Sequence, residues 1–138
     1  MAKKRRALNH KIYVATVAEA ARENALRYGL GIECDEFCTA INLEDPVYIE
    51  KAHRNLEGIE HRVLHAPFNE LCPAAIEPLV RKVSRYRFLQ AYQMARSLGI
   101  RRMVVHSGVC AADLLPGVVR GAVHPVLEGS SQGSAGGL

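Results

Sequence analysis

Apolar and polar positions along this chain alternate between two rhythms. Residues 11–17, KIYVATV, are dense in β-branched and apolar side chains and predict a strand. Residues 18–28 switch to three- and four-residue spacing, with Ala18, Ala21, Ala25 and Tyr28 on one face. They predict a helix that stops at Gly29. Residues 30–37, LGIECDEF, predict a second strand that runs out into acidic residues. Residues 39–45 read as a loop. Pro46 then opens a helix through Leu56 that closes at Gly58. The third strand, over 59–65, leads through RVLHAPF into a loop bracketed by Pro67 and Pro73. The longest helical pattern covers 74–98. Ile76, Leu79, Val80, Val83, Ala91, Met94, Ala95 and Leu98 form its apolar stripe, and Gly99 ends it. Pro78 marks an alternative start within its first turns. RRMVVH over 101–106 is the fourth strand. Four strand–helix alternations predict βα units around a parallel sheet, an α/β fold.

The pattern stops after His106. All eight aromatic residues lie at or before Tyr92, and seven of the eleven glycines lie beyond His106. Between 109 and 138 only Asp113, Arg120 and Glu128 are charged, and the chain ends in GSSQGSAGGL. That composition is a low-complexity one, so 109–138 reads as an irregular tail. At the other end Lys3, Lys4, Arg5 and Arg6 make 1–10 a basic, solvated arm.

The length of 138 residues suits one domain. The net charge of +4, from 18 basic and 14 acidic side chains, is mild. No dense basic stripe interleaves with aromatics, so nucleic acid is not the expected partner. No apolar run approaches the roughly 18 residues of a membrane span. Residues 12–17 are too short and polar for a secretory signal. A cytoplasmic protein with no membrane partner is expected. Cys34, Cys38, Cys72 and Cys110 form no CxxC pair, and in that compartment they read as free thiols. A metal pair of Cys34 and Cys38 is the lesser reading, because Cys34 lies on a predicted strand, where four-residue spacing does not gather ligands as a helix would.

In parallel α/β sheets function gathers at the carboxyl ends of the strands. Glu33, Asp35 and Glu36 close the second strand. His65 closes the third, followed by Asn69 and Glu70, and His106 and Ser107 close the fourth. A neutral imidazole in such a place can ligate a divalent cation or hydrogen-bond within a core. Glu33 or Glu36 can share the site or act as a base. His10, His53, His61 and His124 lack this placement.

RVLHAPFNELCPAAIEPLV, followed by a long helix and then MVVHSG, resembles the xylose isomerase-like TIM-barrel superfamily. That superfamily includes sugar phosphate isomerases/epimerases and endonuclease-IV-like enzymes. IYVATVAE and YGLGIECDEFCTAINLED are similar to its bacterial members, and the likeness spans 11–108. The resemblance implies a partial (β/α)8 TIM barrel, here about four βα units of its N-terminal half. It implies a divalent metal (Mn, Mg or Zn) at the mouth, and a parent that moves a proton next to the carbonyl of a sugar or sugar phosphate. Glu33 and Glu36 are then catalytic. His65, Asn69, Glu70, His106 and Ser107 contact substrate, and His65 and His106 match the metal-binding histidines of HAP- and HPG-type motifs. HSG replaces HPG here, which makes nuclease chemistry the alternative reading. The family's remaining ligands come from the second half of the barrel. The chain by itself is therefore expected to hold no metal tightly and to be inactive, as an inert fragment or interaction module.

The family pattern beyond HSG is aromatic-rich. Read one nucleotide later, degenerate codons for 109–128 are compatible with its Tyr-Tyr-Pro-Glu-Trp and Phe-Trp-Lys runs. The tail is accordingly read as frameshifted and the chain as truncated. Half a barrel leaves two sheet edges open, and self-association through them is expected.

Overall fold

The computed structural model describes residues 9 and 11–107. The frameshift reading of 109–138 and, apart from Asn9, the basic arm lie outside them. Eight elements follow in chain order: β1 (Tyr13–Ala15), α1 (Ala21–Tyr28), β2 (Gly31–Cys34), a 3-10 turn (Ala40–Glu44), α2 (Pro46–Leu56), β3 (Arg62–His65), α3 (Pro78–Ser97) and β4 (Met103–Val104). The strands form one sheet in the order β1-β2-β3-β4. Every pairing is parallel, with Val14 opposite Ile32, Glu33 opposite Val63, and His65 opposite Val104. The chain is a partial (β/α) barrel of about four units, as the alternation predicts.

Local chemistry explains the helix boundaries. Asp45 caps α2, its carboxylate accepting from the Val47 N–H at 2.9 Å, and Pro46 fills the first helical position. Glu77 and Pro78 do the same for α3, with Glu77 Oε1 accepting from the Leu79 N–H at 3.0 Å. The long helix therefore begins at Pro78 and not at Ala74. The glycine stops Gly29, Gly58 and Gly99 all take positive φ, which ends a helix without a Cβ clash. α1 starts later than its alanine pattern predicts. The chain leaves β1 through a tight turn in which the Ala18 N–H reaches the Ala15 carbonyl at 2.9 Å, and Ala20 sits at φ 52°.

The core lies between the sheet and its helices. Ile32, Cys34 and Leu64 are fully buried there against Ala25, Ala52, Ala91 and Ala95. Small helical residues at these contacts let the helices approach the sheet closely. The apolar stripe of α3 is only half used. Ser84, Phe88, Ala91 and Ala95 are buried, whereas Leu79, Val80 and Val83 stand exposed, as does Ile76 ahead of the helix. A 20-residue helix runs about 30 Å. Four-residue strands give only about 13 Å of sheet beneath it. The first turns of α3 overhang. α3 is fastened to the 3-10 turn by Arg87, whose guanidinium donates to Glu44 Oε1 at 2.6 Å.

Side chains on the opposite sheet face alternate with the core residues. Tyr13, Glu33, Val63, His65, Arg102 and Val104 occupy this face, which is the interior of a closed barrel. Arg102 stacks over the Tyr13 ring and donates to its hydroxyl at the amino-terminal end of the strands.

Candidate metal centre

At the carboxyl end of β2 the chain turns sharply. The Cys38 N–H donates to the Asp35 carbonyl at 3.2 Å, an i to i+3 closure. This brings the two side chains together, with Cys38 Sγ 4.0 Å from Asp35 Oδ1. The Asp35 N–H is held by Thr16 Oγ1 at 2.8 Å, which ties the turn back to β1. His65, at the end of the neighbouring strand, adds a nitrogen. One ligand atom each from Asp35, Cys38 and His65 lies within 4.8 Å of the others.

The imidazole is oriented for this role. His65 Nδ1 lies 2.8 Å from the Ala66 carbonyl. A carbonyl only accepts, so Nδ1 carries the proton and Nε2 presents its lone pair. His106 Nε2 approaches that lone pair to 3.0 Å. The two imidazoles and Phe68 form a ring triangle with centroid separations of 4.9–5.0 Å.

Negative charge is crowded and poorly solvated here. Burial, then the neighbouring Glu33, hold the Asp35 carboxyl above its ordinary range, and His65 opposes them. Burial followed by Asp35, Glu33 and Glu36 pushes the Cys38 thiol up to about 11. Asp35 Oδ2 is buried and has no hydrogen-bond partner among the described residues. The donor set fits a divalent cation, held by Asp35, Cys38 and His65.

The other sequence-selected residues fall into distinct places. Glu33 is half-buried on the barrel-interior face, near enough to Asp35 and Cys38 to raise both. Glu36 is 5% exposed and lies behind the mouth. Its Oε2 accepts from Thr16 Oγ1 at 2.8 Å and Cys34 Sγ at 3.2 Å, and its Oε1 from Asn55 Nδ2 at 2.8 Å. Lys51 Nζ lies 3.8 Å from Oε1. Asn69 is exposed and donates to Thr39 Oγ1 at 2.8 Å. Glu70, also exposed, sits at φ 63° in the turn that follows Phe68. His106 and Ser107 are exposed at the end of β4.

The sequence reading did not bring Asp35 and Cys38 together with His65. Cys38 reads as a free thiol there, and Asp35 closes the strand without an assigned role. Cys34 behaves as its strand position implies, being fully buried in the core and donating to Glu36. The signal for the other two is an Asp-x-x-Cys spacing directly after a strand, where a turn makes i and i+3 neighbours.

No family model, curated protein sequence or solved structure matches this chain. Among the described residues no helix is long and apolar enough to cross a membrane.

Proposed function

We propose that this chain carries part of the mouth of a metal-dependent site that moves a proton next to the carbonyl of a sugar or sugar phosphate. One observation carries the reading. His65 and His106 converge, Nε2 to Nε2 at 3.0 Å, at the carboxyl ends of adjacent parallel strands. Asp35 at the end of β2 lies beside His65. A divalent cation bound there supplies Lewis acidity toward a carbonyl oxygen.

The chain's own groups divide the remaining work. Glu33 is the base: it takes the proton from the carbon beside the carbonyl and returns it to the neighbouring carbon. Glu36 is a positioning residue that holds the end of β2 through Thr16 and Asn55. His106 and Ser107 meet the sugar hydroxyls, and Asn69 and Glu70 line the rim.

A sugar-derived hydroxamate, with its two adjacent oxygens, mimics the reacting pair of carbons. It is titrated into the full chain with and without Mn, Mg or Zn. Binding that requires the metal is expected, weakened at least about tenfold, or 1.4 kcal/mol, by Glu33→Gln and by His106→Ala. A chain that binds metal but ignores the hydroxamate refutes the reading.

A further inference from the structure

We infer that Asp35, Cys38 and His65 form a thiophilic site that selects zinc over manganese and magnesium. The inference rests on the reading above only in placing a divalent cation at the mouth.

Ligand chemistry sets the preference. Magnesium and manganese favour sites built from carboxylate, carbonyl and water oxygens. A thiolate and an imidazole with one carboxylate form the mixed N/O/S set that suits zinc. Zinc bonds of about 2.0–2.3 Å place tetrahedral ligand atoms about 3.3–3.8 Å apart. The three ligand atoms, within 4.8 Å of one another, need only a small closure to reach that spacing.

Three further features agree with this assignment. The buried Asp35 Oδ2 has no hydrogen-bond partner among the described residues, which leaves it available to a cation. The Ala66 carbonyl fixes the His65 tautomer, as carbonyls and carboxylates behind metal-bound histidines commonly do. Cys38 is half-buried, so it is reachable, and its turn is pinned on both sides. Its N–H holds Asp35, and its carbonyl accepts from the Phe68 and Asn69 N–H groups at 3.0 and 3.2 Å. An inert thiol at this position explains neither the orphaned oxygen nor the convergence on His65.

On binding, a sulfur–zinc bond forms and the Cys38 S–H proton passes to solvent. Three protein ligands leave one tetrahedral position for an oxygen ligand. Zinc on His65 Nε2 takes the lone pair that His106 Nε2 meets at 3.0 Å, so binding also releases His106 from that hydrogen bond.

The test uses the full reduced chain and Co2+ as a spectroscopic stand-in for zinc. A thiolate-to-cobalt charge-transfer band in the near ultraviolet is expected, bleached when zinc displaces the cobalt. Cys38→Ser abolishes the band and weakens zinc binding at least ~100-fold, the upper end of what losing even a supporting partner costs. Cys72→Ser and Cys110→Ser retain the band. In the unmodified chain, zinc shields Cys38 from alkylation as read by mass spectrometry, whatever the folding of the variants.

Cobalt binding without the band, a band that survives Cys38→Ser, or unshielded Cys38 each overturns the inference. If manganese binds and the hydroxamate follows it, the proposed function stands while the zinc assignment fails. If no divalent cation binds, both fail.

Discussion

Thr16→Val tests how the mouth is attached to the sheet. Thr16 is 8% exposed, and its hydroxyl works in both directions. It donates to Glu36 Oε2 at 2.8 Å and accepts the Asp35 N–H at 2.8 Å. Valine has nearly the same shape, so the change removes chemistry and leaves volume intact. The lost hydrogen bond to a carboxylate is worth about 1.5–3 kcal/mol, and the stranded Asp35 N–H costs about 1–3 kcal/mol more. The added methyl returns about 0.8 kcal/mol through burial. The balance is a loss of roughly 2–5 kcal/mol. Glu36 keeps Asn55, so its carboxylate is not left unpaired. Lys51, half-exposed at 3.8 Å, adds little. Thr16→Ser keeps the hydroxyl and loses one methyl, about 0.8 kcal/mol. Urea unfolding followed by far-ultraviolet circular dichroism measures both variants. Valine must cost more than serine. If valine costs the same or less, the hydroxyl does not tie β1 to the β2 turn and the reasoning fails.

Three further changes probe other joints under the same urea assay. A Cβ at Gly31 would stand 2.5 Å from two Tyr13 ring carbons and 3.0 Å from the His61 carbonyl. Gly31→Ala should displace the ring, break its stack with Arg102 and cost about 1–3 kcal/mol; an unchanged midpoint would show that the ring is not needed there. Ala20 holds a left-handed conformation that costs an L-residue about 1–2 kcal/mol. Ala20→Gly relieves this against about 0.5–1 kcal/mol of added chain entropy. A net gain of about 0.5–1 kcal/mol is expected, and a loss refutes the strain. Asp35→Asn should stabilise the metal-free chain, because burial and Glu33 raise the folded-state pKa of Asp35. Its ionisation therefore costs stability as pH rises from the unfolded-state pKa through the folded one. The asparagine gain is full above that window and vanishes below it; a gain that grows on acidification contradicts the sign.

Much of the fold is legible because a βα unit changes hydrophobic period at each boundary. Pro46, Pro78 and the three stop glycines punctuate it. Periodicity does not say how far a neighbour extends, however. Leu79 and Val83 share a stripe with Ala91 and Ala95, yet only the latter pair has sheet beneath it. Strand ends are legible only roughly. β4 reduces to Met103–Val104, with a paired neighbour on one side among the described residues. The placement of His65 and His106 at neighbouring strand ends is legible because each directly follows an apolar run. Cys38 is not, because its two partners come from different sources. A turn supplies Asp35, while strand pairing brings in His65 from far along the chain.

That difference bears on how the centre is assembled. The loop after β2 and the loop after β3 are locked together without a ligand. The Cys38 carbonyl takes two N–H groups from the second loop, and Asn69 returns a bond to Thr39. Asp35, Cys38 and His65 thus belong to one braced corner, whose ordering cost is met by backbone bonds before any cation arrives. His106 is different. It is exposed, it follows the terminal strand of the described sheet, and its side chain touches His65 and Phe68. A cation needs rigid donors at fixed spacing, whereas a substrate-facing group benefits from freedom to follow its ligand. The division of rigidity is the one the proposed function calls for, with donors braced at the corner after β2 and β3 and an exposed side chain at the end of β4.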